Sequence, residues 1–154
     1  MKRFLTGIII SLTSIFFLLP GLSLNNALAF DGLRVTVEVV KADKAGSHVD
    51  PEIQDLVDEL GPMFAYTGFT LIKKTATRLL PGQTDLSGTS PEHNLELSLL
   101  GFAEQRARLQ VRILEKDQER LSTILLLVDG GSAVIGGPAY EEGVMLLRIS
   151  GEFF

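Results

Sequence analysis

The sequence predicts an α+β fold that is mainly antiparallel β, a sandwich or small open barrel with one short helix, in a single domain over residues 30–154. Apolar and polar side chains alternate with a period of two along most of the chain after residue 63. Only residues 51–60 show the three-to-four-residue apolar spacing of an amphipathic helix. Short strands that follow one another through turns favour pairing between neighbours, which is antiparallel.

Residues 1–29 are predicted to be a secretory signal peptide. A basic start is followed by an apolar run over residues 8–19, and Ala27 and Ala29 form a small-x-small cleavage site. The run is shorter than the roughly 20 apolar residues that span a bilayer. We therefore expect export to the periplasm or the exterior, a mature chain that begins at Phe30, and no integral membrane span after cleavage.

Composition excludes several classes of function. The 154-residue chain has a formal net charge of −5, and its first 29 residues hold two of its basic side chains and no acid, so the remainder is more acidic still. An acidic chain is a poor non-specific ligand for nucleic acid, and we expect no nucleic-acid partner. The absence of cysteine excludes disulfides, thiol catalysis and thiolate metal sites. We expect no cofactor.

The first strand and the helix are the clearest elements. Residues 33–39 alternate as a half-buried strand, and residues 41–48 follow as a polar loop. Asp50 and Pro51 supply an N-cap and a first helical residue. The apolar stripe of the helix consists of Ile53, Leu56, Val57 and Leu60. Gly61 and Pro62 are expected to end the helix.

The remaining elements are predicted to be strands. Alternation marks residues 95–99 and 106–113, which should form a hairpin around a turn at 101–105. Residues 82–94 read as a long turn with a short extended piece near Leu86. Residues 121–128 are too apolar to alternate, so we expect a strand buried on both faces. The other expected strands lie between residues 64 and 80, at residues 133–135 and at residues 144–149. The Gly136-Gly137-Pro138 segment is expected to end the strand at 133–135.

The candidate binding residues are Arg106, Arg108 and Arg112. They alternate with the apolar residues of the predicted strand, which places them on its solvent face. They could form ion pairs with Glu96 or Glu115 on a neighbouring strand. Alternatively, they form a docking patch for an anionic partner, an envelope protein or an anionic polymer, because arginine binds carboxylates and sulfates in bidentate fashion.

No group of residues predicts catalysis or metal binding. His48 and His93 both lie in predicted loops, where we expect exposed side chains, and no spacing gathers three metal ligands around them. Glu141 and Glu142 are adjacent on a predicted turn and point apart, unlike the paired carboxylates of glycosidases. The glycine pairs near residues 130 and 136 lack the Lys-Ser/Thr and the helix that follow a phosphate-binding loop. No catalytic residue and no metal ligand are therefore assigned.

Two resemblances add to this interpretation. The mature pattern, with Val-Asp-Pro at the helix start and a terminal Gly-Gly-Pro-x-Tyr-x-x-Gly-Val block from Gly136 to Val144, resembles an uncharacterised family of small exported Gram-negative bacterial proteins. That resemblance implies export and a strand-rich fold, with no activity. Residues 128–137 resemble a hairpin of outer-membrane secretin channels, in which a D-G-x-x-x-x-I-G-G pattern recurs. Pro138 stands where that pattern continues with an aliphatic residue.

These observations predict an exported, non-catalytic binding or assembly module of the cell envelope. The alternative is a small hydrolase acting on envelope polymers. It would be favoured by a histidine beside a carboxylate at the bottom of a cleft.

Overall fold

The computed structural model describes residues 30–88 and 92–154, so the predicted signal peptide lies outside the described residues. These residues form two four-stranded antiparallel sheets and one short helix. The sheets remain open, each with two edge strands. The predicted mainly antiparallel α+β fold is confirmed, and of the two architectures the sandwich is the one observed.

The described residues contain eight strands and one helical segment. The strands are β1 (Leu33–Asp43), β2 (Gly68–Leu79), β3 (Thr84–Gly88), β4 (His93–Ala103), β5 (Arg106–Glu115), β6 (Gln118–Leu127), β7 (Ser132–Tyr140) and β8 (Gly143–Phe153). The helix α1 (Gln54–Leu60) lies between two single 3₁₀ turns, Pro51–Ile53 and Gly61–Met63. Sheet A has the order β2-β1-β8-β7, and sheet B has the order β3-β4-β5-β6.

The main core lies between the two sheets and follows from strict alternation. The inward residues of β1 and β8 in sheet A face those of β4 and β5 in sheet B, and all are buried. They are Leu33, Val35, Val37, Val39, Met145, Leu147, Ile149, Leu95, Leu97, Leu99, Ala107, Leu109, Val111 and Ile113. Each large aliphatic side chain buried in this way contributes about 1.5–3 kcal/mol, which explains a stable domain without disulfides.

A second, smaller cluster lies on the outer face of sheet A, under α1. Ile53 of the first 3₁₀ turn and Leu56 and Leu60 of α1 pack in one cluster with Val40 of β1 and Leu146 of β8. The Asp50 side chain accepts a hydrogen bond from the Glu52 amide at 3.2 Å, as expected of an N-cap. The predicted helix and its apolar stripe are confirmed.

Strand β6 contradicts the prediction of a strand buried on both faces. It is an edge strand of sheet B, and only its inward side chains contact the core. Ile124, Leu126 and Val128 are 47%, 56% and 51% exposed. Inward and outward side chains alternate along β6 as in an ordinary edge strand. The sequence does not show this alternation, because apolar residues occupy the solvent-exposed face as well as the buried face.

Several strands are longer than predicted, because two-residue turns replace the expected loops. The β4–β5 hairpin turns at Glu104 and Gln105, whose φ angles are 52° and 60°. The β5–β6 hairpin turns at Lys116 and Asp117 in the same left-handed region. Both have the backbone of type I′ hairpin turns, without the glycine that usually signals them. Strand β7 also continues through Pro138, at a bulge on a sheet edge.

Candidate functional site

The two histidines lie in different environments and form no centre. His48 is exposed in the loop after β1, as expected. The expectation of an exposed loop was wrong for His93, which begins β4 and is 5% exposed. The error arose because β4 starts two residues earlier than the alternation indicated. Within residues 30–88 and 92–154, no three His, Asp or Glu side chains are grouped as metal ligands.

The turn that contains Glu141 and the turn that contains Gly130 and Gly131 both form hydrogen bonds within the fold. Glu141 lies in the β7–β8 turn, and its carboxylate accepts a hydrogen bond from Lys41 Nζ at 2.6 Å. This bond raises the pKa of Lys41. The amides of Gly130 and Gly131 donate to the carbonyls of Gly151 and Val128 at 2.9 Å each, so they are not directed at a ligand.

The three predicted binding arginines share the outer face of β5, but their surroundings differ. Arg112 lies opposite Glu96 in the β4–β5 register. Its Nη1 donates to Glu96 and its Nε donates to Glu119, both at 2.7 Å. The bonds to Glu119 and Glu96 raise the pKa of the Arg112 guanidinium. Arg112 therefore stabilises sheet B by bridging strands β4, β5 and β6.

Arg106 and Arg108 are exposed and carry unpaired charge. Among the described residues, neither guanidinium forms an ion pair, a hydrogen bond or a contact with an aromatic ring. Arg108 lies opposite Leu126 on one side and opposite Gly101 on the other. Gly101 has a φ of 132° and open space where a side chain would begin. On the outer face of sheet B, Arg108 therefore has an exposed leucine opposite it on one strand and a glycine, without a side chain, on the other.

These residues define a surface that we term the arginine face: Arg106, Arg108, Ile124 and Leu126 on the outer side of sheet B. The register places Ile124 opposite Gln110, between the unpaired Arg108 and the paired Arg112. Arginine is enriched at protein contact surfaces and among the residues that contribute most to binding, and Ile124 and Leu126 add exposed apolar area beside it. Two of the three predicted binding residues, Arg106 and Arg108, belong to this face.

A second polar feature, on sheet A, was not predicted. A depression of about 370 Å³ opens on its outer face, beyond the part that α1 covers. Its lining residues are Thr36, Glu38, Asp55, Lys74, Gly130, Ser132, Arg148 and Ser150. Glu38 and Arg148 are single charged residues within otherwise apolar stretches of β1 and β8, and this was the available sequence signal.

The charged groups of the depression form one network centred on Arg148. Its Nε donates to Glu38, and its Nη1 donates to Asp55 of α1 at 2.6 Å. Lys74 of β2 contacts the other Glu38 oxygen at 2.9 Å. The four charges cancel, and the arginine connects two strands to the helix that packs on them.

The pKa shifts in the network all favour the charged forms. Burial alone would raise the pKa of Glu38, but the bonds to Arg148 and Lys74 outweigh it and the pKa is lowered. The bond from Arg148 also lowers the pKa of Asp55, and the bond to Glu38 raises that of Lys74. A general acid in hydrolysis needs a raised pKa, so these two carboxylates are tuned in the opposite direction.

Comparison with known proteins adds no assignment to this geometry. No protein-family model, curated protein or solved structure matches the chain. In the described part of the chain, α1 spans seven residues and no helix is long and apolar enough to cross a membrane.

Proposed function

We propose that this protein is an exported, non-catalytic binding module of the cell envelope, which binds an anionic partner through the arginine face. Export rests on the predicted signal peptide over residues 1–29. The observation that carries the binding role is the unpaired charge of Arg106 and Arg108 in a protein whose other strand arginines are occupied. Arg34, Arg112, Arg120 and Arg148 form ion pairs, and Arg78 stacks on Phe154.

Charge complementarity defines the chemistry of the partner. A guanidinium beside exposed aliphatic side chains binds carboxylate, sulfate or phosphate groups in bidentate fashion. Ile124 and Leu126 add apolar area that a purely electrostatic contact would not need. We therefore expect acidic groups next to apolar ones on the partner, and an interaction that salt weakens without abolishing it.

The hydrolase alternative draws no support from the depression on sheet A. Its two acids are held as carboxylates by Arg148 and Lys74, and neither histidine lines it. A structural role in attaching α1 to sheet A accounts for every charged group there.

Capture from an envelope extract tests the binding role. The wild type is compared with an Arg106→Ala/Arg108→Ala variant and with a matched Arg34→Ala/Arg120→Ala variant, which loses the same charge from ion-paired arginines. We expect the first variant to lose a specific partner that the wild type and the control retain. Equal capture by all three proteins would refute binding of a partner through the arginine face. Loss of capture only in a His48→Ala/His93→Ala variant would instead favour the hydrolase.

A further inference from the structure

The depression on the outer face of sheet A contains hydroxyl groups that the charge network does not use. Besides the charged residues of the network, its lining includes Thr36 of β1, Ser150 of β8 and Ser132 of β7. In the sheet register, Thr36 lies opposite Ser150, and Ser150 lies opposite Ser132. Side chains at opposite positions share one face of a sheet and stand about 5 Å apart. The three hydroxyls therefore form a row across three strands.

These hydroxyls have no partner within the part of the chain that the structure describes. On sheet B, the comparable pair Thr84 and Ser98 also lies at opposite positions, and its two hydroxyls bond each other at 2.7 Å. Thr36 and Ser150 form no such bond, and the Ser132 hydroxyl forms none either. Among the described residues no polar side-chain atom is both buried and without a hydrogen bond, so all three hydroxyls are open to solvent. Each can donate a hydrogen bond to a ligand and accept one from it.

The charge network beside the row disfavours an ionic ligand but retains hydrogen-bonding capacity. Its two acids and two bases are paired with one another, so an anion or a cation would have to break an existing ion pair. The bonds of Arg148 to Glu38 and Asp55 use two of the five N–H donors of a guanidinium, and a carboxylate offers about four acceptor sites. Donors and acceptors therefore remain available next to the hydroxyls.

We propose that the depression binds a neutral sugar unit, whose hydroxyls bond to those of Thr36, Ser132 and Ser150. A sugar carries no charge, and each of its hydroxyls donates and accepts, as the row and the network beside it require. Every lining residue except Gly130 has a polar side chain, so an apolar ligand would leave polar groups without water or a partner. The volume of about 370 Å³ falls within the range of small-molecule sites. The depression and the arginine face lie on different sheets, so this proposal does not depend on the proposed function.

Residue-resolved NMR of the ¹⁵N-labelled protein, purified as the cell yields it, tests the site. The probes are neutral methyl glycosides of glucose, galactose, mannose and N-acetylglucosamine, titrated to about 50 mM because an open polar site binds in the millimolar range. We expect at least one of them to give saturable shifts of the Thr36, Ser132 and Ser150 amide signals. High salt should leave these shifts unchanged, since the ligand has no charge to screen. No saturable shift with any probe, or shifts centred elsewhere, would overturn the proposal.

Two matched double variants show whether the hydroxyls carry the binding. Thr36→Val/Ser150→Ala removes two hydroxyls of the row, and Thr84→Val/Ser98→Ala makes the same changes at the opposite pair on sheet B. We expect the first to raise the dissociation constant of the glycoside about tenfold and the second to leave it unchanged. Ser132→Ala, at an exposed position of an edge strand, should raise it about threefold and does not depend on the first variant folding. Wild-type affinity in the variants of the row would overturn the proposal.

Discussion

At the scale of single residues, what lies opposite an arginine decides its role. Arg112 lies opposite Glu96 in the β4–β5 register, and its ion pair with Glu96 joins these two strands. Arg108, four residues earlier on the same face, lies opposite Leu126 and Gly101, and keeps its charge unpaired. Alternation in the sequence identified the shared face, but only the register between strands distinguishes the two roles.

The buried carboxylate Glu38 gives a pH-dependent prediction. Its folded pKa lies below the ordinary value of 4.5, so its contribution to stability is complete above that value and is lost as the pH falls through the folded pKa. We expect Glu38→Gln to lower the free energy of unfolding at pH 7 by about 3 kcal/mol, because it breaks a buried ion pair. The deficit relative to the wild type should shrink as the pH falls below 4.5.

Chemical denaturation of both proteins between pH 7 and pH 3 measures that difference. Glu152→Gln is the control, since Glu152 forms an exposed pair with Arg34 at 3.4 Å and should change stability by less than about 1 kcal/mol. A Glu38→Gln deficit that stays constant with pH would mean that the network does not hold Glu38 as a buried carboxylate.

At the scale of elements, the helix segment shows how far local signals extend. Asp50 and Pro51 begin the 3₁₀ turn that leads into α1, and together with the apolar spacing they located the helical segment correctly. What the helix covers, by contrast, depends on β1 and β8. Along the outward positions of these strands, polar Thr36 and Ser150 give way to apolar Val40 and Leu146. The helix covers the apolar end and leaves the polar depression open.

The helix stripe is tested by Leu56→Asp. Leu56 is buried in the cluster beneath α1, so an unpaired carboxylate there should cost about 4 kcal/mol of folding free energy. Thermal melts check this against Glu59→Ala, on the exposed side of the same helix. If Leu56→Asp melted with the wild type, the stripe would not face a core.

The β4–β5 turn supports a stabilising substitution. Gln105 has a φ of 60°, which is strained for a residue with a side chain and unstrained for glycine. We expect Gln105→Gly to raise the free energy of unfolding by about 1 kcal/mol, and a melt should show a higher midpoint. Ala103→Gly, in the adjoining strand, should lower the midpoint instead, because glycine weakens strands. A lower midpoint for Gln105→Gly would contradict the left-handed turn.

At the scale of the whole molecule, alternation was enough to predict the class of fold but not the grouping of its strands into sheets. Adjacent hairpins such as β4–β5 were predictable, because a short turn forces neighbours to pair. The pairing of β1 with β8 joins the two ends of the domain, and no local pattern contains it. The edge position of β6 in sheet B likewise depends on how the strands are grouped into sheets, which the apolar run over residues 121–128 does not show.

The predicted site was recoverable only in part. Arg106, Arg108 and Arg112 could be placed on one solvent-exposed face from the sequence, whereas the ion pairs of Arg112 with Glu96 and Glu119 depend on the register between strands. The network of Glu38, Arg148 and Asp55 joins residues far apart in sequence, and no spacing rule brings them together.

Processing of the whole chain is the next test. We expect the mature protein to begin at Phe30, whose ring packs against Phe102 and Phe153 with centroids 5.4 Å and 4.7 Å away. The neighbouring Asp31 amide donates to the Phe154 carbonyl at 2.8 Å, so this end of the domain is anchored. Intact-mass analysis of the envelope fraction measures the start. Recovery of the unprocessed chain from the membrane would contradict the signal peptide.

The binding role of the arginine face is tested most directly by residue-resolved arginine labelling. Phenylglyoxal is applied to the purified protein and to the protein in its intact envelope, and modified peptides are quantified by mass spectrometry. Arg34, about half exposed and paired with Glu152, is the internal control. We expect Arg106 and Arg108 to be labelled in the purified protein and shielded in the envelope, with Arg34 unchanged. Equal labelling of Arg106 and Arg108 in both states would contradict the proposed role.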